Sequence, residues 1–246
     1  FCDVDDEISK GYISDIKSEV IKKPDCDVFC YAMSKVGTED HKNDIEGINN
    51  VDSLVSLLYG NGINFSQDYL LAGSWSKVFR KKYLKENKIM FNEKIAFSED
   101  LLFMILVMST YKNIKYIHRG YYRYVQNDDS VMHIGGKESD FYGFIEFVNE
   151  IKKIQREYRD IWSNAKIEKL LNRIFISEGI LTLGRVRRGT KDKNLLYRSK
   201  MTWKICKYLD GLIIKSDLSL KERLRLCFIH AFPWLYILIA DQGKNQ

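Results

Sequence analysis

The sequence predicts an α/β front part followed by an all-helical rear part. Three observations support this fold class. Up to about residue 133, helix patterns alternate with short runs of β-branched and aromatic residues. Beyond that point the apolar residues recur at helical spacing only. Between the two parts, the stretch HIGGKESD supplies two glycines and several polar residues, which is typical of a boundary. We therefore expect two domains, residues 1–133 and 134–246.

In the front part, strands are predicted over residues 26–35 and 113–126, which are rich in β-branched and aromatic residues. A helix is predicted over residues 6–23, because four apolar residues recur there roughly at the spacing of one helical face. These residues are Ile8, Ile13, Ile16 and Val20.

Further helices are predicted on both sides of the boundary. Residues 50–62 form one, with Asp52 or Ser53 as its N-cap and Gly60 as its stop signal. Residues 98–111 form another, which is strongly apolar behind two acidic residues. The helices predicted in the rear part cover residues 144–158, 165–186, 196–213 and 218–240.

Charge and cysteine content narrow the classes of function. The net charge is +6, but residues 1–150 hold 18 basic and 24 acidic residues, net −6, whereas residues 151–246 hold 21 and 9, net +12. A basic segment of this kind often meets phosphate, either in nucleic acid or in anionic lipid. The five cysteines are odd in number and lack CxxC spacing, which predicts reduced thiols and neither a disulfide framework nor a zinc site.

An acidic cluster, Asp3, Asp5 and Asp6, directly follows Phe1 and Cys2. Phe1 and Cys2 are interpreted as the end of a buried strand, and ligands of open α/β sheets bind at the carboxyl ends of the strands. Asp3 and Asp5 are two residues apart, so an extended chain places them on one side. Such carboxylates suit Mg²⁺ or Mn²⁺, with a substrate diphosphate supplying further oxygens. The alternative is that Asp5 or Asp6 caps the following helix.

A second acidic pair, Glu99 and Asp100, opens the apolar helix predicted over residues 98–111. One interpretation is a general base held at a helix N-terminus. The other is negative charge placed favourably on the helix dipole.

These acidic residues belong to a longer series of short motifs in a fixed order. The series is Asp3-Val4-Asp5-Asp6, Lys77-Val78-Phe79-Arg80, Phe91, Glu99-Asp100, Tyr122-Arg123-Tyr124, Gln126-Asn127 and Ser130. It resembles the family 2 glycosyltransferases of the GT-A type, specifically bacterial enzymes that build capsular, lipopolysaccharide or wall polysaccharides. The resemblance covers residues 1 to about 133, and the rear part resembles the helical tails of such enzymes only loosely. Ser76 is a departure, because relatives often have Asn before the lysine.

The resemblance implies a partial GT-A, Rossmann-like domain that performs inverting transfer from a nucleoside diphosphate sugar, most often a UDP-sugar. The acceptor would be a glycan or a lipid-linked molecule. Asp3, Asp5 and Asp6 would form the donor site, with Asp5 on Mn²⁺ or Mg²⁺ and Asp3 beside the metal or the ribose. The metal neutralises the leaving diphosphate. Asp100 would take the proton of the acceptor hydroxyl, with Glu99 as a helper.

Further candidates to touch phosphate or acceptor are Lys77, Arg123, Ser130 and His133. For each, the alternative is a solvated surface position or a structural hydrogen bond. The aromatic candidates for stacking on a sugar are Trp75, Tyr121, Tyr122 and Tyr124. Their alternative is ordinary packing in the core.

In this family the DxDD motif closes the nucleotide-binding half of the domain. The resemblance therefore implies a preceding segment, on the order of 80–90 residues in two or three βα units, that contacts the nucleotide base. A sheet without those strands would expose an unpaired edge and an apolar face. We therefore expect the chain on its own to associate into homo-oligomers or aggregates and to lack transferase activity.

Two other classes of function stay open. One is a catalytically inactive remnant of such an enzyme, which keeps a fold core or a partner surface without turnover. The other is a nucleic-acid-binding module, suggested by the basic residues of GRVRRGTKDK at residues 184–193. No nucleic-acid-binding motif accompanies that stretch, so nucleic acid is not an expected partner.

A membrane-interface helix is predicted over residues 219–240. Ser219 and Glu222 match the capping box S-x-x-E, and residues 226–240 are almost entirely apolar or aromatic. Such a stretch is shorter than the roughly 20 residues that span a bilayer, and Pro233 predicts a kink. With its basic flank, it predicts peripheral docking on the anionic, cytoplasmic face of the plasma membrane, where a lipid-linked acceptor is presented. The alternative is a terminal helix buried in the protein or against a dimer partner.

Overall fold

The computed structural model describes residues 1–4, 6–33, 44–59, 72–95, 97–123, 125, 138–213 and 218–242. The chain divides into two compact units, each built from separate segments. The first contains Phe1–Asn92, Glu99–Asp128 and Ile154–Asn164, and the second contains Glu93–Ser98, Asp129–Lys153 and Ala165–Gln246. The domain boundary predicted after residue 133 lies outside the described residues and stays a prediction.

Strands and helices alternate at first, and only helices follow. In chain order the described elements are β1 (Glu7–Ile8), α1 (Tyr12–Lys22), β2 (Val28–Met33), β3 (Ile45–Glu46), α2 (Asn50–Tyr59), β4 (Lys77–Phe79), α3 (Lys81–Glu86), α4 (Glu99–Thr110), β5 (Ile114–Arg123), α5 (Glu138–Glu157), α6 (Arg159–Trp162), α7 (Ala165–Gly189), α8 (Leu195–Ile213), α9 (Leu220–Ala231) and α10 (Pro233–Gln242). The predicted fold class is therefore confirmed.

The described strands form one mixed sheet with the order β1-β5-β2-β4, and β3 pairs with β5 as well. β2 and β5 run parallel, while the other described pairs are antiparallel. From Val28 to Ala32 every residue of β2 is buried, which explains its continuous apolar run. The strands predicted over residues 26–35 and 113–126 are confirmed as β2 and β5.

The helix predicted over residues 98–111 is confirmed as α4, with Glu99 and Asp100 in its first turn. Buried residues occur on all its sides, from Leu102 to Ser109. A helix that is apolar all round is stable only inside a core, and this burial holds the acidic first turn in place.

The prediction for the first helix is wrong at its start and on its face. Ile8 lies in β1, where it pairs with Tyr122 of β5. Gly11 then adopts a left-handed conformation at φ 91°, which is open to glycine and which most other residues avoid. α1 begins only after this turn. Ile13 and Val20 are exposed, so the apolar spacing did not mark the buried face.

The predicted N-cap of the second helix is also wrong. Asn49 caps α2, because its side-chain oxygen accepts a hydrogen bond from the backbone N–H of Asp52 at 2.9 Å. Ser53 is buried instead, and its hydroxyl lies 2.5 Å from the Tyr111 hydroxyl. The stop signal predicted at Gly60 lies outside the described residues.

A buried carboxylate, Glu19, ties α1 to the sheet. One of its oxygens accepts a hydrogen bond from Lys115 of β5 at 2.8 Å, and the other accepts from Lys22 and Arg119. Burial alone would raise the pKa of the Glu19 carboxyl, but these hydrogen bonds and the charge of Lys115 outweigh it and lower the pKa to about 2. Glu19 is therefore a charged, fully partnered group inside the protein.

The stability of the protein should fall as the pH is lowered from about 4.5 towards 2, the ordinary and folded pKa values of Glu19. A depressed folded pKa contributes stability that is present above the unfolded pKa and is lost as pH falls through the folded one. In Glu19→Gln, this part of the acid sensitivity should disappear. Urea denaturation at several pH values measures it. The control is Glu86→Gln, which alters an exposed pair with Lys82. Equal acid sensitivity of Glu19→Gln and the native protein would contradict the role assigned to Glu19.

The second unit is built on buried charged pairs as well as apolar helices. Arg185 of α7 donates to Asp140 of α5 at 2.6 Å, and both side chains are buried. Arg187 and Arg198 both donate to the carboxylate of Asp241 in α10, at 2.6 and 2.7 Å. Two arginines of the basic stretch at residues 184–193 are therefore engaged in the interior, which removes much of the reason for a nucleic-acid-binding surface there.

The helices predicted in the rear part are confirmed as α5, α7, α8 and the pair α9–α10. The Ser219–Glu222 capping box is present, and the predicted kink is a break before Pro233, where the axes of α9 and α10 bend by 109°. In the described part of the chain, no single helix is long and apolar enough to span a membrane, although this bent pair passes the same criterion of length and composition. All five cysteines are free thiols, as predicted.

Candidate functional site

The acidic cluster at the start of the chain is anchored on Tyr122 of β5. The Tyr122 hydroxyl accepts a hydrogen bond from the backbone N–H of Asp3 at 3.1 Å and donates one to the Asp6 carboxylate. The other Asp6 oxygen accepts from the Val125 N–H at 2.9 Å. Asp6 therefore holds the acidic segment against β5. It does not cap α1, whose N-cap is Gly11, and Asp5 lies outside the described residues.

The aromatic side chains near this anchor pack in the core. Trp75 and Tyr122 are both buried, and their rings stack at 4.9 Å with an angle of 17°. Tyr121 packs instead against Tyr12 and Tyr31. Core packing, the alternative to sugar stacking, thus describes the three aromatic candidates within the described residues. Tyr124 lies outside them.

Lys77 lies in the interior at the start of β4. Its side chain is almost fully buried, and its Nζ donates to the Trp75 carbonyl oxygen at 3.1 Å. Burial lowers the pKa of Lys77 to about 8, although the nearby Asp100 carboxylate opposes this shift. Near neutral pH the side chain is still mainly protonated, so it places a positive charge within reach of Asp100. Its predicted contact with phosphate or acceptor stays a prediction.

The departure from the family pattern at Ser76 has a backbone explanation. Ser76 precedes β4 in a left-handed conformation at φ 57°, which Asn adopts more readily than Ser. Its hydroxyl is buried and has no hydrogen-bond partner among the described residues. The left-handed backbone therefore explains why Asn would suit this position.

Three carboxylates influence one another beside this lysine. Glu99 and Asp100 are both half-buried at the N-terminus of α4. Burial raises the pKa of the Glu99 carboxyl, and the charges of Asp100 and Asp3 raise it further. The charge of Asp3, near the start of the chain, thus influences Glu99, which follows almost a hundred residues later.

The donor set suits a divalent cation that is shared with a substrate. Mg²⁺ is usually held by one or two carboxylates together with substrate phosphates. Within the described ranges no three His, Cys, Asp or Glu side chains form a group that could hold a metal ion, so the protein does not offer a closed cage there. A bound cation would also offset the repulsion between carboxylates that raises the pKa of a neighbouring carboxyl group. The metal site predicted at Asp3 and Asp5 stays a prediction, because Asp5 lies outside the described residues.

The remaining predicted residues divide into two groups. Arg123 is exposed and forms an ion pair with Glu7 of β1, which is the structural alternative considered for it. Ser130 and His133 lie outside the described residues, so their predicted roles stay predictions. The anchoring role of Tyr122 was missed, because it joins residues 119 positions apart and leaves no local sequence signal.

The first unit has an open apolar cleft of about 480 Å³, and Lys77 is among the residues that line it. Ile13 and Ile16 of α1 line one side, and Val78 and Phe79 of β4 line another. Phe1 also lines the cleft, and its ring packs against that of Phe79 at a centroid distance of 5.6 Å. β4 ends the described path of strands, so the cleft lies at the edge of the sheet.

Comparisons with known proteins identify the fold. The crystal structure of residues 1–349 of S. aureus TarS in complex with UDP-GlcNAc matches the whole chain with a TM-score of 0.58 and 17% identity, over 67% of its own length. The complex of the same TarS fragment with UDP matches with a TM-score of 0.56 and 18% identity, over 66% of its length. No protein-family profile and no curated protein match the sequence. The chain thus has the glycosyltransferase fold of TarS and spans about two thirds of these TarS chains.

Proposed function

We propose that the protein containing this chain is a glycosyltransferase that moves a sugar from a nucleoside diphosphate donor, with inversion at the anomeric carbon. The single observation that carries the proposal is the anchoring of the acidic segment at Asp3 and Asp6 on the Tyr122 hydroxyl. The fold agrees with it, because the matching TarS structures contain UDP-GlcNAc and UDP.

In the proposed donor site, Asp3 and Asp5 hold Mn²⁺ or Mg²⁺, and Asp6 fixes their segment through Tyr122. The bound metal supplies positive charge that stabilises the leaving diphosphate. Ser130 and His133 remain candidates to contact the phosphates or the acceptor. The acceptor is a glycan or a lipid-linked molecule.

The two carboxyl groups at the start of α4 take different roles. Burial raises the pKa of the Glu99 carboxyl, and Glu99 has the role of a helper beside Asp100. Asp100 then accepts the proton from the acceptor hydroxyl as that hydroxyl attacks the sugar.

Calorimetric titration of the natural protein containing this sequence, with UDP-GlcNAc or UDP in the presence of Mn²⁺, tests the donor site. We expect binding that requires the metal and is lost in Asp3→Asn and in Asp5→Asn. The control is Asp160→Asn, which removes an equivalent charge from an exposed position of α6. Unchanged affinity for Mn²⁺ and UDP in both donor-site variants would refute the assignment. Metal-dependent binding without any sugar transfer would favour the inactive-remnant alternative.

A further inference from the structure

The second unit exposes apolar side chains along the outer side of α9. Leu220, Leu224 and Phe228 follow one another at four-residue intervals, which places them on one helical face. They are 73%, 62% and 37% exposed. The opposite side of α9 is buried through Leu226 and Ile229. α9 therefore has apolar residues on both its inner and its outer side.

α10 exposes apolar side chains as well. Trp234, Leu238 and Ile239 are exposed there, whereas Ile237 is fully buried. Phe232, at the bend between the helices, is also exposed, and its ring lies 5.8 Å from that of Phe228. We call Leu220, Leu224, Phe228, Trp234, Leu238 and Ile239 the α9–α10 face.

Basic residues border this face. Lys221 and Arg225 are exposed and follow Leu220 and Leu224 by one residue each, so they lie along one edge of the apolar stripe. Residues 151–246 carry a net charge of +12. An exposed apolar stripe with a basic border and an interfacial tryptophan is complementary to an anionic phospholipid surface.

We propose that the α9–α10 face docks in the headgroup region of an anionic phospholipid bilayer, with α9 and α10 lying on the membrane surface. The 109° bend separates two helices that are each too short to cross a bilayer. The proposal is independent of the proposed transferase activity, because it concerns binding to lipid and needs neither donor nor acceptor.

The inner side of the two helices decides which experiment is informative. Ile229 and Ile237 are buried in the second unit, and Asp241 holds Arg187 and Arg198. Deleting α9 and α10 would therefore damage the unit as well as remove the docking face. Point substitutions on the exposed side avoid this, because they leave the buried contacts intact.

Flotation with vesicles of phosphatidylcholine and phosphatidylglycerol tests the proposal on the full chain. We expect binding that weakens with salt and is absent with phosphatidylcholine alone. The triple variant Leu224→Ser, Phe228→Ser and Trp234→Ser should weaken binding by at least about tenfold, because partial burial of each side chain contributes on the order of a kcal/mol. The matched control replaces three exposed apolar residues of α7 and α8 by Ser, namely Ile180, Leu181 and Leu196.

The charge contribution is tested separately. Lys221→Gln with Arg225→Gln should weaken vesicle binding on the order of 30-fold, because each basic residue near an anionic surface contributes about 1 kcal/mol. Lys152→Gln with Lys200→Gln removes the same charge from exposed positions of α5 and α8 and should leave most of the binding. Circular dichroism confirms that each variant is folded.

Several outcomes would overturn the proposal. One is a folded native protein that ignores anionic vesicles, and another is an equal loss of binding in the variants and their controls. A third is a dimer in light scattering that the α9–α10 triple variant converts to a monomer without any vesicle binding, since the face would then bind a second copy. The transfer-deficient variant Asp100→Asn should float like the native protein, so failure of the proposed activity leaves this test intact.

Discussion

Replacing Asp100 by asparagine should lower the turnover number of sugar transfer by roughly 10²–10⁴-fold, the usual contribution of general acid–base catalysis. Donor binding should stay nearly unchanged, because in the proposed mechanism Asp100 meets the acceptor hydroxyl and not the diphosphate. Steady-state kinetics of transfer from UDP-GlcNAc, together with calorimetry of donor binding, measure the two effects on the natural protein that contains this chain. The loss should appear in kcat.

The competing explanation for Asp100 is favourable charge on the dipole of α4, which contributes about 0.3–1 kcal/mol to stability. On that explanation, Asp100→Asn lowers the melting temperature slightly and leaves turnover within a few-fold of native. Glu99→Gln is the matched variant, because it removes the adjacent carboxylate from the same helical turn. Since Glu99 is a helper in the proposed mechanism and Asp100 takes the proton, Glu99→Gln should retain much more activity than Asp100→Asn. Equal losses would contradict the division of roles.

Replacing Asp140 by alanine should destabilise the second unit by about 3–5 kcal/mol. The substitution leaves the guanidinium of Arg185 buried without its carboxylate partner, which now accepts at 2.6 Å. The face of the Phe97 ring, 4.5 Å from the guanidinium, does not replace that charge. Urea denaturation followed by tryptophan fluorescence measures the loss.

Two controls identify the buried charge as the cause. The double variant Asp140→Leu with Arg185→Met removes both charges and should recover most of the lost stability. Asp192→Ala breaks the exposed pair with Lys193 and should have no measurable effect. A double variant as unstable as Asp140→Ala would show that packing around α5 and α7, and not the charge of Arg185 without the Asp140 carboxylate, is responsible.

Local sequence patterns predicted the elements whose environment is uniform. β2 is buried from Val28 to Ala32 and α4 has buried residues on all its sides, so their apolar runs had the same meaning in the sequence as in the structure. α7 and α8 are long enough for the helical period to dominate. The predicted break at Pro233 follows from the missing backbone N–H of proline.

The errors occur where one residue or one distant contact determines the local structure. Gly11 allows a left-handed turn that divides the first predicted helix into β1 and α1, and apolar spacing does not reveal such a turn. Buried Glu19 occupies the inner face of α1, where an apolar residue was expected. Besides Lys22 on the same helix, its partners are Lys115 and Arg119, which lie about a hundred residues away in sequence.

The candidate site also combines residues that the sequence predicted with residues that it did not. Its acidic residues were predicted from short motifs, and the charge of Asp3 adds to the rise that burial causes in the pKa of Glu99. Its supports, the Tyr122 hydroxyl and the stacked Trp75 ring, depend on the pairing of distant strands. Motifs therefore identify groups that carry charge, while the residues that orient them emerge only from the folded chain.

Residues Ile154–Asn164 belong to the first unit, although the segment before them belongs to the second. This membership determines which residues an expressed fragment of the first unit has to contain. Trp162 is buried in that unit, and its indole N–H donates to the Ser109 hydroxyl at 3.1 Å. A fragment that ends at residue 133 lacks this indole, and emptying a buried tryptophan site typically costs about 3–5 kcal/mol. Soluble expression of the first unit on its own therefore calls for residues 154–164 to be supplied too, joined through a short designed linker.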